Sequence, residues 1–148
     1  MARVVIEQRG GVWQIIPHQS EMSGMRSRRE NNRGELIREW ARRKGAHGKP
    51  HWADDPDHPS IVAANDEVVT FECAQPFVIW VGADPDLQPQ GVATSPFLWT
   101  APQLGAPNTL VSARVVPAAS EQIFYKTCAA VFDGTKFVPV DPDMICGF

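Results

Sequence analysis

The sequence predicts a mainly-β protein, a β-sandwich to which an N-terminal β-hairpin and one basic amphipathic helix are added. Three observations carry this. Thirteen prolines in 148 residues are about double the usual ~5%, which disfavours a helical bundle. Short runs of β-branched and aromatic residues recur between Gly, Pro, Asn and Asp, as strands and turns do. One stretch, residues 33–44, spaces its apolar residues as a helix does. At this length, with 43% apolar and 21% charged residues, the chain suits one core.

The elements follow in order. Val4-Val5-Ile6 and Val12-Trp13-Gln14-Ile15-Ile16 flank Arg9-Gly10-Gly11, the pattern of a tight hairpin, and Pro17 ends the second run. Asn31 or Asn32 is suited to cap the helix. Leu36, Ile37, Trp40 and Ala41 fall on one helical face, while Arg38, Arg42 and Arg43 fall mainly on others. Gly45 stops the helix, and residues 48–59 form a Pro/Asp loop.

Residues 67–73 alternate cleanly, and 77–82 are nearly all apolar, as a strand buried on both sides would be. Residues 84–107 read as a long Pro/Gly loop holding Phe97-Leu98-Trp99. Further strands are expected over 109–116, 122–132, 135–140 and 144–146, with Asp133-Gly134 as a hairpin turn. Residues 1–59 are thus expected to be an extension, not an independent domain, and 60–148 the sandwich.

Several fragments of the second part resemble a known family. Residues 60–71, with Asn65-Asp66-Glu67-Val68 at their turn, are similar to the opening of cupredoxin-like domains, where Gly-Asp leads into a strand. Pro76-Phe77-Val78-Ile79-Trp80 resembles the next strand, and Phe124-Tyr125-Lys126-Thr127-Cys128 a later one. Asp141-Pro142-Asp143-Met144-Ile145 resembles the close of bacterial cupredoxin-like sequences. The resemblance spans about residues 60–146 and implies a cupredoxin-like or immunoglobulin-like sandwich. The family's copper proteins use two His, one Cys and usually a Met, most of them on a loop near the C-terminus. This chain has no His after His58. Type 1 copper is therefore not expected, and a metal-free scaffold does not fix a function.

Charge suggests one. Residues 1–49 hold eleven Lys/Arg against five Asp/Glu, a balance of +6, and residues 50–148 hold three against twelve, a balance of −9. Opposite halves suit contact between copies, or with a protein partner. The candidate partner-binding residues are Arg28, Arg29, Arg33, Arg38, Arg42 and Arg43, with the loop tryptophans Trp52 and Trp99, because Arg and Trp are enriched at interface hot spots. Trp13 and Trp80, in apolar strands, are expected in the core. Trp52 and Trp99 have the alternative of sealing the ends of the sandwich.

The expected function is accordingly a non-enzymatic interaction or self-assembly module. Two alternatives stay open. His47, His51 and His58, beside Asp54, Asp55 and Asp57, carry ligand types for Zn²⁺ or another divalent ion. The Arg-rich segment 26–49 can track a phosphate backbone, although the acidic half repels nucleic acid. A Gly-rich phosphate loop, His-Glu-x-x-His and Gly-x-Ser-x-Gly are all absent, so the reading leans away from an enzyme. Without a membrane-length apolar run or a secretory signal pattern, a cytoplasmic location is expected. Cys73, Cys128 and Cys146 are then expected to be reduced, each a small buried hydrophobe in a strand.

Overall fold

The computed structural model describes residues 2–18, 33–44, 61–63, 66–83, 95–116, 124–140 and 143–146. Among these residues ten strands and one helix follow in chain order: β1 (Ala2–Arg9), β2 (Val12–Pro17), α1 (Arg33–Lys44), β3 (Ile61–Ala63), β4 (Val68–Cys73) and β5 (Phe77–Ala83), then β6 (Gln103–Gly105), β7 (Val111–Arg114), β8 (Phe124–Phe132), β9 (Phe137–Val140) and β10 (Asp143–Cys146). They make two sheets, one ordered β2-β1-β4-β7 and one ordered β3-β10-β8-β5-β6, with β9 also on β8. The architecture is a mainly-β, two-sheet sandwich.

The hairpin forms because Gly10 and Gly11 take φ of 58° and 79°, the left-handed conformation a two-residue turn needs. It is integral to the first sheet: β1 runs parallel to β4, from Ala2 beside Val69 to Ile6 beside Cys73. Val4, Ile6 and Ile15 are buried in the same core as Phe71, Phe77, Ile79 and Tyr125. Each such apolar side chain contributes on the order of 1.5–3 kcal/mol by leaving water.

The second sheet is built around β8. On one side β8 pairs with β5 from Phe77 beside Val131 to Ala83 beside Tyr125. On the other, β9 and β10 continue one register: Phe137 faces Phe132, Val140 faces Ala129 and Asp143 faces Lys126. β10 then pairs in parallel with β3. Asp66, at φ 63°, turns the chain into β4, and its amide donates to the Val115 carbonyl at 2.9 Å.

In α1, Glu35, Arg38 and Arg42 are exposed, and Ile37 packs half-buried against the core. No described helix is long and apolar enough to cross a membrane.

Three expectations change. The stretch 84–107 contains a strand, β6, which the single Leu between Gln103 and Gly105 gave no pattern to reveal. Trp80 is outside the buried core: in β5 it alternates with buried Ile79 and Val81, so it lies half-buried on the outer face. Cys128 lies exposed between buried Thr127 and Ala129 for the same reason. The period of two, not the apolar character of the run, decides where each side chain goes.

Candidate interaction surface

The outward face of the β8-centred sheet is apolar across four strands. Register fixes its rows. Leu104 on β6 faces Val78 on β5, Val78 faces Ala130 on β8, and Ala130 faces Pro139 on β9. One row on, Trp80 faces Cys128, and one row the other way Phe132 faces Phe137. The alternate residues of the same strands, Phe77, Ile79, Val81, Ala129 and Val131, fill the core. Antiparallel sheets with one solvated face usually carry polar residues there; here both faces are apolar.

Local geometry flattens this surface. A Cβ on Gly82 would overlap the Trp80 indole, so the ring lies along its own strand over the buried glycine. The rings of Phe132 and Phe137 stack at a tilt, with centroids 5.4 Å apart. Leu104 is 81% exposed and Phe137 54%. The row beyond Trp80 and Cys128, which pairs Gly82 with Lys126, ends the apolar area.

The other sheet carries an open groove of about 360 Å³, lined by Arg3, Glu7, Gln8, Trp13, Glu72 and Asn108 among others. Its charges satisfy one another. Arg3 Nε donates to Glu72 Oε1 at 2.7 Å, and Arg9 Nε donates to Glu7 Oε1 at 2.8 Å. Cys73 also lines the groove, but burial pushes its thiol pKa up, only partly offset by backbone N–H groups of Gln75 and Ala74. A thiol held neutral in this way is a poor nucleophile.

A third feature is an aromatic cluster in the loop before β6. Trp99 packs on Phe97, with centroids 4.7 Å apart, and on Phe71 at 6.1 Å. Leu98 between them is 87% exposed. In this loop the indole faces the core and the leucine faces water.

The remaining residues singled out from the sequence fall as follows. Arg33, Arg38, Arg42 and Arg43 lie on α1, with Arg38 and Arg42 exposed. Arg28, Arg29, His47, His51, Trp52 and His58 lie outside the described residues. Among the described residues no group of three or more His, Cys, Asp and Glu is placed to hold a metal ion. The apolar face was missed in the sequence because its members come from four strands, one of them β6. The signal available was the unbroken apolar run of β5.

The chain matches no family model, no curated protein and no solved structure.

Proposed function

We propose that the protein is a non-enzymatic interaction or self-assembly module on a copper-free, cupredoxin-like scaffold. The observation that carries the reading is the apolar outward face of β6, β5, β8 and β9, a surface that folding of the chain itself leaves partly in water. Contiguous apolar area of this kind characterises contact sites more than solvent surfaces.

The scaffold reading is supported by where the quoted fragments fall. The turn at Asp66 leads into β4, Phe77 to Trp80 lie in β5, Tyr125 to Cys128 in β8, and Asp143 to Ile145 in β10 beside it. A reducing, cytoplasmic setting belongs to the same proposal. It is a setting in which a thiol exposed at Cys128 and one facing the core at Cys73 are both compatible with the fold.

Charge is the second contributor, through the basic residues before position 50 and the acidic remainder. Light scattering on the full chain, from about 5 µM to about 500 µM at low and high salt, tests the reading. Self-association is expected, and the share that charge contributes disappears at high salt. A monomer throughout, with no partner recovered by crosslinking in its native extract, would remove it.

A further inference from the structure

We infer that the occupant of the apolar face is a second copy of this chain, stacked sheet on sheet about a two-fold axis that runs along the strands between β5 and β8. The inference rests on the module reading above and names its partner. Three observations support it.

The first is area. Leu104 and Phe137 at the two margins, with Trp80, Cys128, Ala130 and Pro139 between them, expose on the order of 500 Å² with their neighbours. A symmetric pair then removes about 1,000 Å², the lower limit for a specific interface. The association is therefore weak and reversible rather than obligate.

The second is shape. Leu104, more exposed than Phe137 on the far margin, stands at one edge of the face, while the middle of its row is the small Val78-Ala130 pair. A two-fold axis along the strands sets Leu104 of one copy over the Pro139 and Phe137 margin of the other, and does so twice. The flattened Trp80 leaves the centre level, so two such faces approach at the ~10 Å spacing of stacked sheets, with strand directions inside the ~30° range of aligned packing.

The third is chemistry. The three apolar rows contain no Asp, Glu, Lys or Arg; Lys126 lies one row beyond them. A copy of the same face thus meets no unpaired charge, where a partner of opposite charge would find nothing to pair with. Cys128 stands next to the axis, across from Trp80, so the Cys128 thiols of the two copies come within reach of a short crosslinker.

Sedimentation of the full chain, from about 5 µM to about 500 µM, tests the inference with three variants. Leu104→Glu and Phe137→Glu change exposed side chains and leave the core intact. Val12→Glu does the same on the opposite sheet, where Val12 is 59% exposed. The wild type is expected to dimerise with a Kd in the range of tens to hundreds of micromolar. Both face variants are expected to weaken it at least about tenfold, Val12→Glu to leave it unchanged, and the association that depends on the face to persist at high salt. A short bismaleimide is expected to join two copies through Cys128.

Association that persists in the face variants, or that salt abolishes, overturns the second-copy inference and leaves the module reading standing on charge. A wild type monomeric throughout overturns this inference, and the module reading then stands or falls on the native-extract crosslinking.

Discussion

The Phe77 ring fills the space that a side chain at residue 105 would need. Phe77 and Gly105 are partners across β5 and β6, and a Cβ on Gly105 would fall against three ring carbons, Cδ1, Cε1 and Cζ. Phe77 is buried in the core, so the ring has no free space into which to withdraw. The requirement for glycine is one of room, since Gly105 has no positive φ. Gly105→Ala is therefore expected to destabilise the fold by about 1–3 kcal/mol, the usual effect of overpacking. Urea unfolding measures it, and Phe77→Leu in the same chain should return part of the loss. An unchanged midpoint would mean that β6 does not lie on β5 in this register.

Thr127 provides the opposite case. Its side chain is fully buried on β8, and its hydroxyl has no hydrogen-bond partner among the described residues. An unsatisfied buried hydroxyl destabilises by about 1–3 kcal/mol. Thr127→Val keeps the shape and the β-branching, and is expected to raise the urea midpoint without changing the slope.

The cysteines differ in reactivity for a stated reason. Cys128 is exposed on the outer face, while burial raises the Cys73 thiol pKa. Alkylation of the native protein near neutral pH should modify Cys128 well before Cys73, and peptide mapping separates the two. The same shift sets a pH dependence. With its folded-state pKa above the unfolded value, Cys73 contributes stability that is fully present below the ordinary thiol pKa. That contribution is lost as the pH rises through the raised value. Cys73→Ser should flatten this alkaline decline.

Asp133 organises the β8–β9 turn. Its Oδ1 accepts from the amides of Thr135 and Lys136 and from the Thr135 hydroxyl, each at 2.9 Å. These bonds, the backbone ones first, lower its carboxyl pKa. Asp133 thus contributes stability that is present above the ordinary carboxylate pKa and lost as the pH falls through its own lower value. Asp133→Ala should lower stability near neutral pH and remove that acid dependence. An NMR titration of the carboxyl carbon gives the midpoint directly.

Some of this was legible in the sequence. Gly10-Gly11 and Asp133-Gly134 marked their turns because positive φ favours few residue types, and Gly10, Gly11 and Gly134 do adopt it. The alternation of residues 67–73 marked β4. The pairing of β1 with β4 was not legible, because a parallel contact between residues 2–6 and 69–73 leaves no local trace. The same holds for the apolar face. The apolar character of its run points Trp80 to the core, yet its position is set by the alternation with Ile79 and Val81 and by the space above Gly82. Leu104 carries no signal in a three-residue strand, and its importance comes entirely from lying beside Val78. Trp99 illustrates the limit of reading single residues: the indole packs on Phe71 and Phe97, while the neighbouring Leu98 is the exposed side chain of that loop.

The most direct test of the central claim is a dilution series followed by ¹H–¹⁵N correlation NMR on the full chain. The account predicts that, between about 500 µM and about 10 µM, shifts move for the Trp80 indole N–H and for the amides of Val78, Leu104, Ala130 and Phe137. The amides of β1 and β7 should stay in place. Shifts that move instead on the β1–β2 sheet, or none that move at all, would contradict it.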